Sequence, residues 1–427
     1  MSTFTYGQTL QGRRIRLLRL VPDPEMSILS IELVETSLDE VEFEALSYVW
    51  GDQTGKIQIR CNGKRADLGA NLHAALHERR RRRSSGLLWA DQICINQNNT
   101  EEKTSQVRLM STIYAKASQV IIWLGNLQPL DLEGLKLAKT LYQKCRGDQY
   151  DPDASAYDFH DFDCRSQGIA DPNFNSVWNG LFMILANPWF GRIWIIQELL
   201  VAQKSVMWKG PLDLDTDVVL WSAMLIGRHR NLYVKYDIAM GSPQASALKA
   251  RETAAGYYDY KKRGPLPLYD TLSRYLGMGA TDPRDRFFAI AGVSSSLAEA
   301  FVSYEKTFKE VACLVGKMTL LGIPGYQITG DGTEVLILKK NPRKHKFLIE
   351  WLAFHANPQN HELGIPSWVP DLVSPHSPGL LMTGFYNSQY LQKTRILPDP
   401  EVRISEQFQR ISSRSSNYWQ IAVPKVS

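Results

Sequence analysis

The chain has 427 residues, 44% hydrophobic and 22% charged, the proportions of a soluble globular protein with too many residues for one ordinary core. Its 49 basic and 44 acidic residues leave a net charge of +5, an even balance that argues against a nucleic-acid partner. No apolar run is long enough to span a bilayer, and residues 1–20 lack the apolar stretch and cleavage site of a secretory signal, so a cytoplasmic protein with no membrane span is expected.

Cys61, Cys94, Cys145, Cys164 and Cys313 are scattered, odd in number and without a CxxC pair. That usage fits a reducing compartment better than a disulfide framework or a zinc site. His73 and His77 are four apart on an expected helix, but no third ligand lies near them in sequence, and no metal is expected.

In chain order, residues 13–20 and 27–34 read as strands separated by Pro22 and Pro24. The apolar run 43–49 ends at Trp50-Gly51-Asp52. Residues 56–61 alternate as a half-buried strand that runs into Asn62-Gly63, a two-residue hairpin turn. Helical periodicity covers 68–83 and finishes in five consecutive arginines. These read as a solvated helix end, with a nuclear-localisation signal at residues 79–83 as the alternative. A buried strand at 87–90 precedes Asp91-Gln92, and Asn99 or Thr100 caps a helix carrying Glu101 and Glu102 in its first turn. Strand 120–124 and helix 130–145 follow.

Strands alternating with helices at this spacing predict an α/β fold with a parallel sheet flanked by helices. In such sheets ligands bind beyond the carboxyl ends of the strands. Ser47, Tyr48, Trp50, Gly51 and Asp52 collect at one such end, and Asp91, Gln92, Asn96 and Gln97 after another. They read either as the lining of a pocket or as turn and cap residues.

The pattern lapses in an Asp-rich insertion at 147–173, whose spacing does not match a calcium loop. Helix resumes at 174–186 and leads into residues 187–202, NPWFGRIWIIQELLVA, which read as one helix that is apolar on nearly every side and therefore buried. Arg192, Gln197 and Glu198 are the exceptions within it. A glutamate is almost never fully buried unless paired, so Glu198 has either a structural partner or a chemical role. Desolvated beside Trp194, one helical turn away, it would titrate high and serve as an acid or base, or stabilise positive charge at a breaking glycosidic bond. Further helices are expected at 214–227, 244–262, 267–276, 284–292 and 306–321, strands at 205–208, 335–338 and 347–353, and no clear core pattern after 371. The expected organisation is entrance strands at 1–40, a main domain at 41–210, a helical region at 211–330 and a mixed, extended region at 331–427.

The blocks FEALSYVWGD (43–52), LWADQICINQNNTEEKTSQVRLMSTIYAKASQVIIWLG (88–125) and NPWFGRIWIIQELLVA (187–202) resemble the fungal heterokaryon incompatibility (HET) domain. ATDPRDRFFAIAGV (280–293) and GIPSWVPDL (364–372) look like segments that follow it in longer members. The resemblance implies fungal non-self recognition with a cell-death response, triggered by self-association or by an incompatibility partner protein. The HET domain is in turn similar to TIR domains, some of which cleave NAD with a helix-borne glutamate. This implies a TIR- or flavodoxin-like sheet followed by a helix-rich C-terminal region, with NAD as a substrate and no tightly bound cofactor. Glu198 would be the catalytic carboxylate, Trp194 a pocket wall and Gln197 a contact. Ser47, Tyr48, Trp50, Gly51, Asp52 and Asp91 would line the nucleotide side. The Ser and Cys of the TIR motif are Arg192 and Ile195 here. A non-enzymatic signalling module, or a regulatory protein of a specialised gene neighbourhood, is the competing expectation.

Overall fold

The apolar runs assemble into a nine-stranded sheet in a computed structural model of the chain. The structure describes residues 2–22, 28–52, 54–145, 161–172, 177–240, 247–275, 277–294, 301–321, 326–328, 334–339 and 418–422. Most of the Asp-rich insertion, the strand expected at 347–353 and most of the tail lie outside them.

The strands are β1 (Arg14–Leu20), β2 (Ser30–Ser37), β3 (Glu44–Tyr48), β4 (Lys56–Cys61), β5 (Lys64–Gly69), β6 (Leu88–Trp89), β7 (Gln119–Trp123), β8 (Ser205–Lys209) and β9 (Leu212–Asp215). Their order is β5-β4-β2-β1-β6-β3-β7-β8-β9. The central strands β6, β3, β7 and β8 run parallel, as expected of strands joined through helices. The sheet as a whole is mixed, which corrects the expectation of a parallel one. Antiparallel pairs join β1 to β2, β4 to β5 and β8 to β9. Short turns enforce the last two: Asn62 and Gly63 both have positive φ (50° and 73°), and Gly210 (φ 53°) turns β8 back into β9.

Around the sheet lie α1 (Ala70–Arg81), α2 (Asp91–Cys94), α3 (Thr100–Lys116), α4 (Asp131–Cys145), α5 (Val177–Leu185), α6 (Ile195–Leu200), α7 (Thr216–Arg228), α8 (Arg230–Met240) and α9 (Ala247–Arg263). Asn99 caps α3 as expected, its side chain accepting from the Glu102 N–H at 3.0 Å. Helix α8 was not foreseen. The core between these layers takes in Trp89, Trp123, Trp178 and Trp189, all fully buried.

Helices α4 and α5 meet at two glycines. A Cβ on Gly134 would lie 2.3 Å from the Gly180 carbonyl carbon, and one on Gly180 only 2.2 Å from the Leu130 oxygen. Neither backbone can yield without separating the helices. Gly180→Ala should therefore cost about 1–3 kcal/mol by overpacking. A urea unfolding midpoint unchanged from wild type would refute that contact.

The run 187–202 is not one helix. A 3-10 turn at Pro188–Gly191 ends where Arg192 becomes extended (φ −85°, ψ 135°), and α6 starts three residues later. At the break the Ile193 N–H donates to Gly279 O at 3.0 Å, and the Gly279 N–H donates to Gly191 O at 2.7 Å. Helical hydrogen bonds are traded for a short parallel bridge with chain that returns from far downstream.

The arginine run is also more engaged than a solvated helix end. Arg79 is buried, paired with Glu44 at 2.6 Å and bonded to Gly86 O at 2.9 Å. Arg82 lies over the Trp208 ring, 4.1 Å from its centroid, and pairs with Glu78 and Asp213.

The chain divides into two compact units, and everything above belongs to the first (1–264 with 278–280). The second includes α10 (Leu268–Tyr275), α11 (Asp285–Ala291), α12 (Phe308–Leu321) and a small antiparallel sheet of β10 (Tyr326–Ile328), β11 (Glu334–Lys339) and β12 (Tyr418–Ala422). Arg284 ties the start of α11 to the loop before α12, donating to the carbonyls of Tyr304 (3.0 Å) and Lys306 (2.7 Å) while paired with Asp282.

Candidate functional site

Strand β3 sits at a switch in topology. Its two parallel neighbours, β6 and β7, lie on opposite sides of it, so the chain crosses from one side to the other between them. A crevice opens beyond the carboxyl ends at such a point. Ser47 and Tyr48 end β3, Asp91 follows β6, and Glu198 enters from α6.

Glu198 is 1% exposed and receives the Ser47 hydroxyl hydrogen. The direction of that bond is set by Trp189, whose Nε1–H donates to Ser47 Oγ at 2.7 Å and leaves the hydroxyl proton free for the carboxylate. Arg192 reaches back from the break before α6, places Nη1 3.8 Å from Glu198 Oε1 and donates to the Tyr48 carbonyl. The extended backbone at Arg192 is what aims this side chain at β3 rather than along a helix.

Asp91 is anchored by two donors, Trp50 Nε1–H to Oδ2 and the Gln92 N–H to Oδ1, both at 2.8 Å. Its carbonyl accepts from Gln97 at 2.9 Å. The turn carrying Trp50 is held by Asn71, which donates to Val49 O at 2.6 Å and accepts from Trp123 Nε1–H at 2.9 Å. Gly51 has φ +68°, a conformation that favours glycine.

Burial pushes the Glu198 carboxyl from 4.5 up to about 7. Arg192 and the Ser47 hydrogen bond oppose the rise, and the nearby Asp91 adds to it. Burial raises Asp91 too, against the Arg192 charge and hydrogen bonds from Trp50, Tyr48 and the Gln92 amide. The Tyr48 and Tyr114 phenols are driven well above their ordinary value, by burial first. A buried carboxyl that titrates near neutrality is equipped to exchange a proton or to face a developing positive charge.

The fold thus brings Ser47, Tyr48, Trp50, Asp91 and Glu198 to one strand edge. Trp194 is half-buried on the Glu198 segment, its carbonyl accepting the Glu198 N–H at 3.3 Å, and Gln197 is buried on α6. Gly51 shapes the turn. Asp52 is exposed and folds back on Thr54, accepting from its N–H (2.8 Å) and hydroxyl (2.7 Å), a local turn outside the network. Sequence reasoning missed Trp189 and Asn71, which look like ordinary core and helix residues until their partners are known. Arg192 did carry a signal, as a charge inside an apolar run.

Among the described residues, no group of three His, Cys, Asp or Glu side chains could hold a metal ion, and no helix is long and apolar enough to cross a membrane. His73 and His77 stand side by side with ring centroids 6.4 Å apart. All five cysteines are buried thiols outside any disulfide.

An α/β domain with a buried, near-neutral carboxyl at the switch point of its central strands is thus the class that fold and site define. Residues 43–198 match the family model described as Heterokaryon incompatibility protein (HET), a span that begins just before β3 and ends on Glu198. Over these residues the chain is similar to that family. It is similar to Heterokaryon incompatibility protein 6, OR allele, of Neurospora crassa, with 47% identity over 94 residues, 19% of this chain and 14% of that protein. The chain therefore spans only a small part of that relative. No solved structure matches.

Proposed function

We propose that the protein acts in fungal non-self recognition and that its HET domain executes the response, ending in cell death, by cleaving NAD at the nicotinamide–ribose bond. The carrying observation is Glu198: a fully buried carboxyl poised at about 7, fixed by Ser47 and Arg192 beyond the ends of parallel strands. As the bond from ribose C1′ to the nicotinamide nitrogen breaks, its electrons leave with nicotinamide and positive charge grows on the sugar. An ionised Glu198 opposes that charge in a medium where the attraction is weakly screened. Water then adds to C1′, giving ADP-ribose and releasing one proton. The substrate reaches Glu198 past Arg192, whose side chain is 18% exposed, and the half-buried Trp194.

The test is purified full-length protein at high concentration, to favour assembly, incubated with NAD while nicotinamide appearance is followed. Stoichiometric release, absent from Glu198→Gln, supports the reading. No release from wild type overturns it.

Ser47 would act through Glu198 rather than on the substrate. Ser47→Ala removes a bond that lowers the Glu198 pKa, so the pH at which activity turns on should move upward from about 7. An unshifted pH–rate profile would deny Ser47 that role.

A second reading, a domain that signals by docking on a second copy or on an incompatibility partner, is favoured by Leu127, Leu132, Met183 and Val234, each at least 41% exposed in the first unit. It does not draw on the Trp-rich blocks, because Trp89, Trp123, Trp178 and Trp189 are core. Killing by a folded Glu198→Gln variant on overexpression would favour this reading.

A further inference from the structure

We propose that Lys249 and Arg192 hold the diphosphate of a dinucleotide, one cation to each phosphate, at the strap that precedes α6. The inference rests on reading this strand edge as the site of NAD cleavage, and deepens it by naming the residues that orient the substrate.

Lys249 stands near the start of α9 and is half-buried. Its side chain lies along Gly191, where an added Cβ would be 3.8 Å from both Lys249 Cδ and Nζ. The ammonium therefore rests against the residue immediately before Arg192. No charged side chain among the described residues acts on it, and burial draws its pKa below the ordinary lysine value. An ammonium that loses water without gaining a counter-charge is destabilising, and a bound anion would offset that cost.

Arg192 has donors to spare as well. Its hydrogen bond to the Tyr48 carbonyl and its ion pair with Glu198 both run through Nη1. Nε and Nη2 form the edge of a guanidinium that grips an oxyanion through two parallel bonds. Neither has a partner among the described residues, and the side chain is 18% exposed.

The chemistry of the occupant follows. Both groups are cationic and only donate, so the occupant is an anion. The Arg192 charge does not act on Lys249, so two linked anionic groups fit this pair better than one. The arginine fork takes two oxygens of one phosphate, and the lysine meets the other as a point charge. On the inner side of Arg192 the charge changes sign, because Glu198 and Asp91 are acids. A ligand matched to both sides is negative at its middle and grows positive at a glycosidic carbon a few bonds away. A nicotinamide dinucleotide has that layout. An acidic peptide would satisfy the two cations but bring no positive charge to Glu198.

The experiment is calorimetric titration of the full chain with ADP-ribose, adenosine and inorganic pyrophosphate, at low and at physiological salt. Wild type should bind ADP-ribose at least about tenfold more tightly than either other probe, and less tightly as salt rises. Lys249→Met keeps an apolar stem, removes a desolvated charge and should melt at or above the wild-type temperature. It should lose about tenfold in affinity for ADP-ribose, the worth of one hydrogen bond from a charged group, and part of the salt dependence. Lys249→Arg should bind better than Lys249→Met, whereas a role in packing alone predicts the reverse. Equal binding of ADP-ribose and adenosine by wild type overturns the subsite, as does no binding of ADP-ribose. Pyrophosphate bound as tightly as ADP-ribose overturns the assignment to a dinucleotide. Undiminished affinity in folded Lys249→Met overturns the role of that lysine. Binding that follows every expectation without nicotinamide release keeps the subsite and sinks the cleavage reading. Nicotinamide release with unaltered binding in Lys249→Met does the opposite, so the two failures are separable.

Discussion

Glu198→Gln should abolish NAD consumption and at the same time raise the melting temperature above neutral pH. Glu198 titrates at about 7 in the folded protein and at 4.5 when exposed, because burial disfavours its charge. Between those values the folded state holds a proton that the unfolded chain has lost. The associated stability is complete below pH 4.5 and is lost as pH rises through 7. The gap corresponds to about 3 kcal/mol. Glutamine keeps the shape, still accepts from Ser47 and never ionises, so the variant escapes the loss. At pH 8 it should melt several degrees above wild type, and at pH 5 about level with it. Activity should fall by at least about a hundredfold, the lower range for removal of a group that stabilises charge developing in the transition state. Melts at the two pH values, with nicotinamide release beside them, make the check. A variant that melts lower at pH 8 would show Glu198 to be a structural anchor held by Arg192. One that still releases nicotinamide would remove it from the chemistry.

The second large effect is expected from Glu102, a group with no part in the proposed chemistry. Its buried carboxylate takes Arg16 through both oxygens (2.5 and 3.0 Å) and also accepts the N–H groups of Asn96 (2.7 Å) and Leu10 (3.3 Å). Burial alone would raise its pKa, yet Arg16 and the backbone donors hold it below the usual carboxylate value. Its stabilisation is therefore present above pH 4.5 and lost as pH falls through the lowered value, opposite in sign to Glu198. Glu102→Ala strands a guanidinium that is 3% exposed and should cost about 3–5 kcal/mol. Arg16 keeps Glu35 and two carbonyls, which do not replace a bidentate partner. The double change Arg16→Met with Glu102→Gln should cost less than the single one, because the amide oxygen still serves a backbone donor and no charge is left unpaired. Urea unfolding of wild type, Arg16→Met, Glu102→Gln and the double variant measures this cycle. A double variant as weak as the sum of the singles would show that the pair is not coupled.

Elements whose cause is local were legible in the sequence. The Asn62-Gly63 hairpin, the Asn99 cap and the apolar strands around β3 and β7 depend on residues within a few positions of one another. Where a distant partner decides, the reading failed. Residues 188–200 have a good helical wheel, but the bridge to Gly279 breaks it, and nothing within the stretch announces a partner over eighty residues away. The antiparallel flanks escaped for the same reason, since strand order is not a local property. In the candidate site the residue types were visible and the pairings were not. Ser47 and Glu198 are 151 positions apart, and only the sheet explains why they touch. Asp52, chosen for its place beside Trp50, proved to be occupied by its own turn.

The bridge at Gly279 also separates two meanings of the word domain. By family resemblance the HET segment stops at Glu198; by hydrogen bonding the strap bearing Arg192 is closed only by residues 278–280. Whatever shifts that returning stretch of chain by an ångström pulls on the backbone from which the Arg192 guanidinium hangs. The backbone that aims the Arg192 guanidinium at Glu198 is therefore completed by residues some eighty positions beyond the family match.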